Sequence, residues 1–268
     1  MPAIDLARLK TQAARLSEKF GEPEAFLHGL RELLDLYTNR TVRSAQIAQR
    51  LSLPTYRTPR PVLRQIESEL EPLADAHPLE AVTLTDALWK ARFLEARLLA
   101  AHLIGSIPPP QAMSVLTSLP ELLRFSTDKE IRHALLTKAL ARIRRENPEG
   151  LLFLLEDWLK LPNRRLQAWG LQALIPLLND PHFEDLPVVF RIIRPAVETA
   201  SPSTQLELRD CLAALEHISV TETVYFLREI VVNKPNPMLL RTLQRILPAF
   251  SPELQAGLRE VLRPIQGG

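Results

Sequence analysis

Of the 33 basic residues in this chain of 268, 26 are arginine and 7 are lysine. Arginine presents a planar fork of donors that matches phosphate and carboxylate oxygens two at a time, which lysine does not. The arginines of interest are those that helical spacing sets along one class of helix: Arg92, Arg132, Arg142, Arg164, Arg165, Arg241 and Arg245. With Trp169 close to Arg164 and Arg165, they are the candidate contacts to a phosphate backbone. The run Arg142-x-Arg144-Arg145 has a second explanation, because basic residues at a helix end complement its negative C-terminal pole.

Other reactive side chains are sparse. Cys211 is the one cysteine, which excludes an internal disulfide and a cysteine-based zinc cluster. Its apolar-periodic surroundings fit a buried thiol better than a nucleophile. The six histidines form no His-x-x-x-His pair and gather no carboxylates, so no metal is expected. No serine lies in a nucleophile elbow and no glycine-rich loop is available to cradle a phosphate, so no cofactor is expected. Asp157-Trp158 sets an acid beside an indole. It is either a site that joins an anion to an aromatic face or a core Trp with a solvated Asp, since adjacent helical residues point about 100° apart.

Helices must position these residues. The chain has 8 glycines and 23 prolines, and the prolines fall mostly between or at the starts of apolar-periodic runs, where the first helical turn accepts them. From Leu84 to Gly105 the apolar positions are Leu84, Leu88, Phe93, Leu94, Leu98, Leu99, Leu103 and Ile104. Their spacing predicts two helices with a break near Lys90. A pair this small cannot bury its apolar stripe alone, and similar pairs follow it. First members are expected at 78–88, 109–124, 148–160, 183–199 and 220–233. Second members are expected at 91–104, 128–146, 163–178, 202–218 and 237–249, with a closing helix at 252–262. The second members recur every 35 to 39 residues. That period predicts an all-α fold, a HEAT-like α-solenoid of helix pairs. Thr127-Asp128, Ser201-Pro202 and Ser251-Pro252 supply capping residues.

Before the pairs lie helices expected at 4–20, 24–37, 44–51 and 62–74. The stretch 39–64 carries Arg40, Arg43, Arg50, Arg57, Arg60 and Arg64 and no acid, a local charge of +6. The expected division is therefore a helical, Arg-rich N-terminal segment at 1–76 packed on HEAT-like repeats at 77–268. The stretch Gln46–Arg64 faintly suggests a DNA-reading helix-turn-helix, against which its turn at Leu51–Pro61 is too long and too rich in proline.

The net charge is only +2, but it divides by helix class. The first members sum to −6 and the second members to +6, with an acidic interruption at 204–217. In a HEAT-type solenoid the second helices line the concave surface. A basic concave trough is the footprint of a protein that tracks a nucleic-acid backbone.

Two stretches resemble the HEAT-like repeat DNA alkylation-repair family, the AlkD-type DNA glycosylases. In Tyr56–Ile66, the residues Tyr56, Pro61, Leu63, Arg64 and Ile66 match an early segment of the family. Leu88, Trp89, Glu95, Arg97, Leu98 and Ala100 resemble its following helix pair. The resemblance would cover roughly residues 31 to 263. It implies duplex DNA held in the trough, with an Asp carboxylate and Trp faces stabilising a cationic alkylated nucleotide. The family's Trp-Asp-x-x-Asp signature is missing here. Met113–Phe125 holds no Trp and one acid, Glu121, and Ala168 stands near the expected place of a later Arg. Glycosylase activity is therefore an open question at this stage. The expected partner is duplex DNA, and the competing one is an acidic protein bound by a non-enzymatic scaffold. No apolar run has membrane-spanning length, so no membrane partner and a cytoplasmic location are expected.

Overall fold

The computed structural model describes residues 5–38, 53–234, 236–259 and 261–262. Among them there are helices and connecting segments but no strand. They fall into two compact units, Met1–Asn147 and Pro148–Gly268, so position 76/77 lies inside the first unit. The helix expected at 44–51 lies outside the described residues.

In the first unit the helices are α1 Leu6–Ser17, α2 Pro23–Leu36, α3 Arg60–Ala76, α4 Pro78–Lys90, α5 Leu94–Ile104, α6 Pro109–Thr117, α7 Leu119–Arg124, α8 Lys129–Thr137 and α9 Ala141–Glu146. The second unit holds α10 Pro148–Lys160, α11 Arg164–Leu178, α12 Leu186–Glu198, α13 Gln205–Ile218, α14 Val220–Asn233, α15 Pro237–Ile246 and α16 Pro252–Arg259. Proline stands in the first turn of α2, α3, α4, α6, α12 and α15. It removes an N–H that would have no intrahelical acceptor there. The starts are capped where the sequence places short polar side chains. Asp128 accepts the Glu130 N–H, and Ser251 accepts that of Leu254. Ser201 and Thr204 close a reciprocal capping box.

Most helices pack on their next-but-one neighbour as well as on their partner, while α5 packs on α8. In the first unit α1, α3, α5 and α8 form one succession and α2, α4 and α6 the other. In the second unit α10, α12, α14 and α16 form one layer and α11, α13 and α15 the other. The core lies between the layers. Leu84, Leu88, Leu99, Leu103 and Ile104 from the α4–α5 pair are fully buried, each contributing roughly 2 kcal/mol of hydrophobic stabilisation.

Two expected helices are broken. The 109–124 helix divides at Ser118, because Pro120 stands in the first turn of α7 and offers no N–H to continue the ladder of α6. The 128–146 helix divides at residues 138–140, where the Ala139 N–H reaches back to the Ala134 carbonyl. At that break the Lys138 carbonyl presses on Gly105, so closely that a Cβ there would stand 1.9 Å from the oxygen. Gly105 thus lets the end of α5 meet the backbone between α8 and α9.

Candidate nucleic-acid interface

In the second unit, the Asn163 carboxamide oxygen caps α11 by accepting the N–H groups of Arg165 and Leu166, at 3.1 and 3.2 Å. Arg164 and Arg165 therefore occupy the first turn, both exposed. The positive pole of the helix disfavours cations at this end, so helix stability alone would not select two arginines there. On α15, Arg241 and Arg245 are exposed one turn apart. None of these four arginines has an ion-pair partner among the described residues.

Between α11 and α15 lies α13, the acidic interruption. Its carboxylates are engaged within the fold. Asp210 pairs with Arg209 at 2.7 Å, Glu207 accepts from Gln172 at 3.3 Å, and Glu216 accepts the Ser251 N–H at 2.9 Å. The opposite layer consumes much of its charge in links between helices. Glu156 of α10 takes both Lys160 and Arg191 of α12. Arg194 meets Glu229 of α14 at 2.8 Å, and Glu198 meets Lys234 at 2.9 Å. The hydrogen bonds from Lys160 and then Arg191 hold the Glu156 carboxyl below its ordinary pKa.

The remaining candidate residues differ from these four. Arg92 is exposed in the α4–α5 turn, with a left-handed φ of 55°. Arg132 is half-buried and donates from Nη1 to the carbonyls of Ser126 and Thr127, at 2.9 and 2.8 Å. Arg142 donates to the Ser106 carbonyl at 2.6 Å. It also pairs with Asp75 at 2.6 Å and Glu146 at 2.9 Å. Burial works against its charge, but hydrogen bonds to Glu146 and Asp75 outweigh that cost and raise its pKa. Trp169 is 9% exposed and belongs to the core. Trp158 is also core while Asp157 is exposed, so this pair does not share a pocket.

The two stretches that carry the family resemblance pack against each other in the first unit. The Tyr56 ring meets Phe93 edge-on, 5.4 Å between centroids. The Leu94 N–H donates to the Pro54 carbonyl at 2.9 Å. The Thr55 hydroxyl donates to Glu95 Oε1 at 2.7 Å. Glu95 is buried, and its other oxygen has no hydrogen-bond partner among the described residues. Beside it the Arg97 guanidinium lies 4.8 Å from the Trp89 ring centre; burial and then the nearby Arg92 lower its pKa.

One constellation escaped sequence reasoning. Glu67, Glu71 and Asp75 recur at every fourth position of α3, and Lys138 and Arg142 stand four apart on the opposite segment. The two rows meet over α5. Lys138 Nζ pairs with Glu67 at 2.5 Å, and His102 Nδ1 stands 4.0 Å from the other Glu67 oxygen. His102 Nε2 is 3.4 Å from Ser106 Oγ. The spacing was visible in the chain, but which two rows would face each other was not. Among the described residues no three His, Cys, Asp or Glu side chains gather to hold a metal ion. No described helix is long and apolar enough to cross a membrane.

Compared with known proteins, the chain matches no family model and no curated relative. The class of protein rests on the residues and geometry above.

Proposed function

We propose that each unit is a stretch of HEAT-like solenoid, and that the chain binds duplex DNA by its phosphate backbone through the second-member helices. The supporting observation is the asymmetry of the second unit. One layer ties many of its charges together between helices, with Arg228 outside those links, while Arg164, Arg165, Arg241 and Arg245 stand exposed on the other with no carboxylate partner among the described residues. Unpaired guanidinium groups on two helices of one layer, α11 and α15, suit a polyanion, and phosphate contacts of this kind do not depend on base sequence. The alkylation-repair resemblance agrees with duplex DNA as the polyanion. The missing acidic signature, and the separation of Asp157 from Trp158, favour binding without base excision. Changing Arg164 and Arg165 together to Glu weakens duplex binding for all sequences alike. Incubation with alkylated DNA releases no free base above background, and release would restore the glycosylase reading.

A scaffold for an acidic protein is the second reading. It is favoured by Leu206 and Met238, 54% and 42% exposed on α13 and α15, helices of the layer that carries the arginines. Apolar contacts hold a protein partner at salt concentrations that release DNA. Binding of generic duplex that is absent even at low salt would leave the scaffold reading in place.

A further inference from the structure

The rows of charge over α5 enclose a cavity of about 490 Å³ in the first unit. Lys138, Arg142 and Arg145 line one side, Glu71 and Asp75 the other, and His102 and Ser106 the floor. Lys138 is paired with Glu67, Arg142 with Asp75 and Glu146, and Arg145 with Glu146. Glu71 is exposed and has no hydrogen-bond or ion-pair partner among the described residues. His102 Nδ1 faces Glu67 at 4.0 Å, and Nε2 stands 3.4 Å from the Ser106 oxygen, whose hydroxyl donates to the His102 carbonyl.

This lining is selective in its chemistry. A simple cation would meet three positive side chains, and a fully ionised anion would meet two carboxylates that can only accept. An oxyanion that keeps one acidic proton satisfies both walls. Its charged oxygens take hydrogen bonds from Lys138 and Arg145, while its O–H donates to the Glu71 carboxylate.

We propose that this cavity binds a protonated oxyanion, hydrogen phosphate or the end of a phosphomonoester. The site is independent of the DNA reading, because a backbone phosphodiester has no acidic proton to donate.

The test is NMR titration of the whole chain near pH 6, close to the second ionisation of a phosphomonoester. The His102 ring signal is assigned by its loss in H102Q. Inorganic phosphate shifts that signal to saturation, while sulfate and dimethyl phosphate at equal ionic strength do not. Monomethyl phosphate separates the two sources. A shift as large as that of phosphate marks a monoester site, and a smaller one marks free phosphate. R145Q weakens phosphate binding about tenfold, as loss of one charge-assisted hydrogen bond requires. E71Q narrows the preference for phosphate over sulfate. Both side chains are exposed, so the fold tolerates the changes. Equal response to sulfate or dimethyl phosphate, or no saturable response to phosphate, overturns the proposal.

Discussion

Arg194 and Glu229, 35 residues apart in the chain, close a 2.8 Å ion pair between α12 and α14. Glu156 and Arg191 make the corresponding link one helix earlier, also 35 apart, and Glu198 reaches Lys234 at a separation of 36. The spacing of the helix pairs thus returns as a lateral ladder of charges. Partly exposed pairs of this kind stabilise a fold little. Their effect is to use up much of the charge on one layer, Arg228 excepted, while the four arginines on the other have no carboxylate partner among the described residues. Arg194→Met is expected to change the unfolding free energy by less than about 1 kcal/mol in urea.

Arg142 and Arg145 lie on the same short helix but serve different ends. Arg142 is 18% exposed and ties α9 to Asp75 and to the Ser106 carbonyl. Arg145 is 69% exposed and, among the described residues, pairs only with Glu146. Arg142→Met should lower stability by about 2 kcal/mol, since it takes the donor from the buried Ser106 carbonyl, while Arg145→Met should stay within about 0.5 kcal/mol. Equal urea midpoints for the two variants would show that the Arg142 contacts do not hold the helix ends together.

Gly105 is a packing requirement rather than a turn requirement. Its φ of −75° suits any residue, but a Cβ would collide with the Lys138 carbonyl. Gly105→Ala should therefore destabilise by about 3 kcal/mol, at the upper end for overpacking. Gly29→Ala is the control. There the Cβ would stand 3.1 Å from Leu16 Cδ1 and 3.3 Å from the flexible end of Lys19, and the change should be far milder in the same urea titration.

His102 links stability to pH. Burial lowers its pKa from 6.5 most strongly; Glu67 pulls it back up, and Lys138 lowers it again. The unfolded chain then binds a proton that the folded chain refuses, in the window from about pH 6.5 down to the folded value. Stability is full above that window and falls as the pH drops through it. H102Q removes the linkage, so its urea midpoint should change less than that of the parent between about pH 7 and 5.5. Parallel curves for the two proteins would place the linkage elsewhere.

Much of the helical order was legible because its signals are local. Pro78, Pro109, Pro148 and Pro237 start helices where the sequence places them, and Asp128, Ser201 and Ser251 cap as short polar residues do. Long-range facing was not legible. Nothing near residue 138 announces that its carbonyl will meet Gly105 and break the 128–146 helix. The spacing of Arg142 gave its helix but not its three internal acceptors. Trp169 looked available beside Arg164 and Arg165, yet it points into the core from the same helix. Periodicity assigns a residue to a face; whether that face meets solvent or a neighbour is decided by packing between helices.

The central claim is that unpaired arginines on the second-member helices carry duplex DNA by its backbone. The most direct measurement is the affinity for one generic duplex across salt, for the parent chain and for the variant with Arg164 and Arg165 both changed to Glu. Each phosphate contact contributes about 0.9 to the slope of log affinity against log salt. The parent should bind at low salt with a steep slope, and the variant should bind more weakly with a slope shallower by about 2. A variant with the parent's affinity and slope, or a parent that does not bind duplex at low salt, would contradict the claim.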